Sequence, residues 1–157
     1  MSARATSFVL AGLLMAGLTG CTFSAVQANQ KFYDPSDGVG ATVGDVDVRN
    51  ALLISEDGET ANFVVSFINS SSKSVTLNVS WEVGSERVDR RVSIDAGTSR
   101  SFGNSSEPIE FEGIDTAPGD LFPVYFQYGS NEGEELLVPV LDGALPEYAD
   151  LVPESGE

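Results

Sequence analysis

The chain has 157 residues, with 24 acidic against eight basic side chains, no histidine and one cysteine, for a formal charge of −16. A surface of that sign repels nucleic acid and anionic headgroups, and a single cysteine allows no disulfide within the chain. Without histidine, Ser-His-Asp and Cys-His nucleophilic systems and the usual zinc sites are excluded.

Arg4 precedes an almost unbroken apolar run from Phe8 to Leu18, and Leu18-Thr19-Gly20-Cys21 follows at once. A positive flank, a short apolar stretch and small residues at the cleavage point read as a bacterial lipoprotein signal over residues 1–20. Leu18, Thr19 and Gly20 form the lipobox, and Cys21 is the lipidation site. The chemistry needs a thiol there because sulfur takes the diacylglyceryl group before the peptidase cuts ahead of it. The apolar run is about 11 residues, well short of the roughly 20 that span a bilayer. A buried core helix would leave the solitary thiol unexplained. The expected partner is therefore the membrane itself, reached through acyl chains on Cys21 with palmitate among them, and the expected location is its outer face.

Residues 21–40 are small and polar and include Asp34-Pro35-Ser36-Asp37-Gly38, a strong turn cluster. They read as a flexible tether with an end-to-end distance of roughly 20–25 Å. From there the hydrophobic period is two. Val46, Val48, Leu52 and Ile54 make one set, and Phe63, Val65 and Phe67 a second. Val75, Leu77, Val79, Trp81 and Val83 alternate most strictly, with Thr76, Asn78, Ser80 and Glu82 between them. Val88, Val92 and Ile94 follow, interrupted by Arg90. Ile109 with Phe111, then Phe122, Val124, Phe126 and Tyr128, then Leu136, Val138 and Val140 complete the series. Such alternation marks half-buried strands, and the breaks at Glu56-Asp57-Gly58, Asn69 to Lys73, Gly84-Ser85, Ala96-Gly97 and Ser130 to Gly133 carry turn residues.

About seven strands with no helical segment predict an all-β fold, a single antiparallel β-sandwich of immunoglobulin-like or cupredoxin-like type over residues 41–141. Pro123 and Pro139 lack ladder donors and are expected at sheet edges or before their strands begin. Trp81 reads as the centre of the core, with ligand stacking as the alternative. Residues 142–157, with Pro146, Pro153 and little apolar pattern, read as an acidic disordered tail.

Several of these stretches resemble a known group. Val43-Gly44-Asp45-Val46, Val48 to Ile54, Ala61 to Phe67 and Ile68-Asn69-Ser70-Ser71 resemble the actinobacterial LpqE-like surface lipoproteins. Ile94-Asp95-Ala96-Gly97, Ile109 to Ile114, Pro118-Gly119-Asp120 and Leu137-Val138-Pro139-Val140 follow the order of the periplasmic copper chaperone PCuAC-type domain, to which those lipoproteins are similar. The resemblance covers about residues 40 to 141. It implies a copper site of two histidines and two methionines, with a His-x-Met step that falls here at Pro108-Ile109-Glu110. This chain has no histidine, and Met1 and Met15 both lie in the signal. Cu(I) requires soft ligands, so copper carriage by the family's mechanism is not expected.

Carboxylates remain. Glu110 and Glu112 share a strand face, with Glu107 and Asp115 nearby, and these four are weak candidates for a hard cation; the plainer alternative is a solvated acidic face. Paired acids could also support glycoside hydrolysis, but with so many acids any pair is cheap to find. Asn69-Ser70-Ser71, Asn78-Val79-Ser80 and Asn104-Ser105-Ser106 match the glycosylation pattern by chance. Asn50 and Asn69 are better read as bonding nearby backbone at strand ends. The expectation is a non-catalytic, lipid-anchored cell-envelope module with no cofactor. Its partner would be an unknown protein, glycan or lipid. A metal-handling protein with carboxylate ligands and a carboxylate hydrolase are the alternatives.

Overall fold

The computed structural model describes residues 36–104 and 107–153. The signal, Cys21 and the tether as far as residue 35 lie outside the described residues. Among the described residues no helix is long and apolar enough to cross a membrane.

Among the described residues nine strands carry the fold: β1 (Val39–Val43), β2 (Val46–Ile54), β3 (Thr60–Asn69), β4 (Val75–Val83), β5 (Glu86–Ile94), β6 (Ser99–Phe102), β7 (Glu110–Glu112), β8 (Leu121–Gln127) and β9 (Glu134–Leu141). One short helix, α1 (Pro146–Ala149), follows them. The hydrogen-bonded order is β5-β4-β8-β9-β2-β3-β6, with β1 added to β2 and β7 added to β3. The all-β expectation holds, and the sheet curls into a sandwich-like form. One pairing departs from antiparallel: β9 runs parallel to β2, Leu53 opposite Val140 and Ile54 opposite Leu141. That contact joins the β8–β9 side to the β2–β3 side.

Curling packs the two inner faces together. Phe63 and Phe67 from β3 meet Phe126 from β8, with ring centroids 6.3 and 6.1 Å apart. These three side chains are fully buried, each at an inward position of the two-residue alternation. Two-residue turns, Gly44-Asp45 and Gly84-Ser85, close the β1–β2 and β4–β5 hairpins, each with its glycine at positive φ.

Two strands, β1 and β6, have no sequence expectation behind them: Ser99–Phe102 is short with one apolar residue, and Val39–Val43 follows directly on the turn cluster at 34–38, although Val39, Ala41 and Val43 alternate. The tether's expected end at residue 40 also moves, since β1 already begins at Val39. Asn50 explains the irregularity opposite β1 and β3. It adopts φ 50° where the β2–β3 register shifts between Arg49 and Leu52, a conformation asparagine tolerates better than most. Its Oδ1 accepts the Gly38 N–H at 3.2 Å.

The prolines do not lie at edges or outside their strands, contrary to expectation. Pro123 pairs with Leu137 and Pro139 with Leu121 inside the β8–β9 ladder. The Val140 N–H donates toward β8, to Asp120 O at 3.0 Å. By alternation the Pro139 nitrogen faces β2, whose pairing starts only at Val140. Likewise β4 pairs only with Tyr125 to Gln127 of β8, clear of Pro123. Each missing donor sits where no ladder asks for one.

Residues 142–153 also depart from the expected disordered tail. Gly143 N–H donates to Glu56 Oε1 at 3.0 Å, Asn62 Nδ2 donates to Leu151 O at 2.9 Å, and the Tyr148 hydroxyl donates to Asp37. Polar anchors on the domain hold this segment, so its own weak apolar pattern did not reveal the attachment. Residues 154–157 lie outside the described residues.

Candidate functional site

The two-layer packing is incomplete along β5. Arg90 shares an inward face with Val88 and Val92 by alternation, opposite Val79, yet it is exposed. A guanidinium does not desolvate into an apolar core without a partner. β5 therefore stands off from the facing layer, and Val88 is left 36% exposed. The gap is a cleft of about 540 Å³, within the usual range for ligand sites.

One wall is β4–β5, with Trp81, Val83, Glu86, Val88 and Arg90; the other is Pro108, Ile109, Glu110 and Glu112. The second wall is fixed by backbone bonds. β7 pairs Glu110 with Asn62 and Glu112 with Thr60, and the Phe63 N–H donates to Ile109 O at 2.8 Å. Between the two glutamates Phe111 points inward, fully buried, so both carboxylates point outward as the alternation predicts.

Trp81 is both core and cleft wall. It is 5% exposed, and its ring stacks on Phe111 with centroids 3.8 Å apart and planes 6° from parallel. Its Nε1 is buried with no hydrogen-bond partner among the described residues. A donor cut off from water without an acceptor costs roughly 1–3 kcal/mol.

The four proposed cation ligands are not brought together. Glu107 is turned away to Arg100, whose Nη2 donates to both of its oxygens at 2.8 and 2.6 Å. The same arginine donates through Nη1 to Ser93 O at 2.7 Å, tying β6 to β5. Asp115 is exposed beyond the buried Ile114, outside the cleft wall. Only Glu110 and Glu112 face the cleft, joined there by Glu86, which the sequence reading did not single out. Among the described residues no three histidine, cysteine or acidic side chains are placed to hold a metal ion. Among the described residues there is no histidine, methionine or cysteine to serve as a soft ligand for copper.

Asp89 borders the cleft but is already committed. The Ser80 hydroxyl at 2.6 Å and the Asn78 amide at 3.0 Å, ahead of Arg87, hold its carboxyl below the ordinary value of 3.8. The carboxylates of Glu86, Glu110 and Glu112 form no hydrogen bond or ion pair among the described residues, and all three residues are exposed. Acid–base chemistry by a carboxyl pair needs one member shielded and one open to water. Three open carboxylates, with Asp89 and Arg90 beside them, give the cleft a mostly acidic rim over the edge of Trp81.

A second, smaller cleft of about 330 Å³ continues past Arg90 and Pro108, lined by Arg91, Arg100, Phe102 and Glu107. Of the larger cleft's lining, the sequence points to Trp81 as a possible ligand contact and to Glu110 and Glu112 as candidate cation ligands. The signal for Glu86 and Val88 was the interruption of the β5 pattern at Arg90.

Three solved structures share this architecture. The copper-bound PCuAC domain from PmoF2 is 11% identical with a TM-score of 0.51, covering 66% of this chain and 97% of that one. The apo PCuAC domain from PmoF1 is 14% identical with a TM-score of 0.54, covering 65% and 98%. The apo PmoF2 PCuAC domain is 11% identical with a TM-score of 0.51, covering 66% and 94%. The fold is PCuAC-like. No family model matches the chain, and no curated protein does. At these identities the likeness is one of fold. Pro108-Ile109-Glu110, where the resemblance puts the His-x-Met step, forms part of the cleft wall with Pro108 and Glu110 on its surface and Ile109 buried.

Proposed function

We propose that the protein is a non-catalytic, lipid-anchored module of the cell envelope that binds its partner in the β5–β7 cleft. The observation that carries the reading is the cleft itself, an aromatic floor rimmed by three uncommitted carboxylates on a PCuAC-like scaffold without soft metal ligands. The anchor rests on Arg4, the Phe8 to Leu18 run and the lipobox ahead of Cys21. Labelling cells with a palmitate analogue tests it. The wild-type protein takes the label and fractionates with membranes, whereas Cys21→Ala takes none and accumulates unprocessed. Membrane association without label would overturn the anchor.

A second reading, hard-cation handling at Glu110 and Glu112, is favoured by their shared face and by the fold held in common with a copper-bound domain. Calorimetry with calcium, zinc and copper decides it. Binding tighter than about 10 μM, the weak end of sensor sites, that Glu110→Gln abolishes would support it. Absence of heat would remove it.

A further inference from the structure

We infer that the free edge of β5 is a self-association surface, on which a second copy of this chain adds its own β5 antiparallel about a two-fold axis at Val88. The surface is the edge of the strand, so the inference goes beyond the cleft reading and does not rest on it.

β5 ends the hydrogen-bonded order. The two-residue turn Gly84-Ser85 makes Val83 and Glu86 a hydrogen-bonded pair, so Glu86, Val88, Arg90 and Val92 bond to β4. The backbone groups of Arg87, Asp89, Arg91 and Ser93 face the other way. Ser93 O on that row takes the Arg100 guanidinium, and the rest of the row faces no other strand. Every residue from Glu86 to Arg91 is exposed, Val88 included. Proteins usually keep an edge from pairing by making it short or by setting blocking charges on it. This strand is nine residues long, and its charges do not block a second copy.

The order of signs selects the partner. Glu86, Arg87, Val88, Asp89 and Arg90 read negative, positive, apolar, negative, positive. Reversed against itself about Val88, the segment sets Glu86 opposite Arg90 and Arg87 opposite Asp89, twice each, with valine on valine at the axis. Moving the axis to any neighbouring charged residue would set that residue against its own copy. The Val88 register also makes Arg87 and Asp89 the hydrogen-bonded pairs, which uses the free row and stays clear of Ser93.

The side chains are ready for this. Glu86 and Arg90 enter none of the ion pairs among the described residues. Four residues apart on one strand they are about 13 Å from each other, too far to pair within a chain. Across an antiparallel neighbour their Cβ atoms would be about 5 Å apart. Asp89 accepts from Asn78, Ser80 and Arg87 on Oδ1 alone, leaving Oδ2 for Arg87 of the second copy. The charge of −16 sets two copies apart elsewhere, so only a face matched charge for charge brings them together.

Val88→Cys reads the axis directly. Facing residues of a non-hydrogen-bonded antiparallel pair have Cα atoms about 4.5 Å apart, within the span of a disulfide. The full-length variant, oxidised with diamide in its own membranes, should give a disulfide-linked dimer. Wild type sets the background from Cys21, and Glu132→Cys sets the background from chance collision. Sedimentation equilibrium of the full chain in density-matched detergent gives the dissociation constant. Glu86→Arg should weaken the dimer by about tenfold, since two attractive pairs become repulsive. Glu86→Arg combined with Arg90→Glu should restore it. Glu110→Gln with Glu112→Gln, which alters only the cleft, should leave it unchanged. Crosslinking of Val88→Cys no greater than that of Glu132→Cys, or a monomer at every concentration, would overturn the inference. So would a dimer that the charge exchange fails to restore, because the match of signs would then play no part. A dimer lost with Glu110 and Glu112 would move the association into the cleft and overturn the edge.

Discussion

Trp81 and Phe111 lie face to face, 3.8 Å between centroids, one from β4 and the other from β7. The stack bridges the two layers at the margin where the cleft opens. Phe111 also meets Phe63 at 5.1 Å and Phe122 at 6.3 Å, so one ring touches three other aromatic side chains. Phe111→Ala should cost about 3–5 kcal/mol, as for other buried Phe truncations. Denaturant unfolding followed by Trp81 fluorescence measures the loss, and the native emission should shift to the red as water reaches the indole. A cost below about 1 kcal/mol would mean that the layers are held elsewhere.

Much of the fold was legible because the inward positions alternate. Phe63, Val65 and Phe67, or Val75 through Val83, declare both the strand and its buried face. β6 was hidden because Ser99–Phe102 offers a single apolar residue, whereas in β1 Val39, Ala41 and Val43 do alternate but follow directly on the turn cluster at 34–38. Pro123 and Pro139 misled because sequence cannot say which side of a strand is laddered. The cleft was half legible. Glu110 and Glu112 were found from their spacing, but their meeting with Trp81 and Glu86 depends on β7 pairing with β3, a contact no local pattern encodes. Glu107 and Asp115 were nearby in sequence only.

Asn69 closes the end of β3 and is fully buried. Its Nδ2 donates to Lys73 O at 2.7 Å and to Ile94 O and Asp95 O at 3.1 Å, while Oδ1 accepts from the Ser71 N–H and hydroxyl. This bears out its reading as a backbone-bonding residue and leaves the amide no room for a glycan. Asn69→Ala should cost about 3 kcal/mol, because several buried groups lose their partner together. Asn69→Asp should cost more near neutral pH, where a carboxylate would face those three carbonyl oxygens. Thermal melts of both variants across pH check this. The aspartate variant should recover stability on acidification and the alanine variant should not.

Gly58 and Gly84 both have positive φ, 74° and 62°, but their surroundings differ. A Cβ on Gly58 would sit 1.9 Å from Thr116 O, whereas one on Gly84 would meet nothing within 4 Å. Gly84→Ala should therefore cost only the conformational penalty, about 1–2 kcal/mol. Gly58→Ala adds a backbone clash and should cost at least ~3 kcal/mol, since the Thr116 backbone must move. Parallel urea unfolding of the two variants makes the comparison, and equal costs would show that the Thr116 loop yields freely.

Asp37 and Tyr148 tie the start of the described chain to its closing helix, the phenol donating to the carboxylate. This hydrogen bond, then partial burial and the nearby charge of Asp37, push the tyrosine up from its ordinary 10.0 to about 12. The sign follows from which form the fold prefers. The protonated phenol is held more tightly folded than unfolded, so the contribution is complete below about pH 10 and is lost as pH rises toward 12. Losing the proton would set a phenolate against a carboxylate, and α1 should detach. The difference in phenolate absorbance between wild type and Tyr148→Phe isolates this group, and its midpoint should fall near 12. Limited proteolysis should show residues 142–153 becoming cleavable in the wild type only at that alkaline limit, and in Tyr148→Phe already at neutral pH. A difference midpoint at the ordinary tyrosine value would mean that the Asp37 contact does not persist in solution.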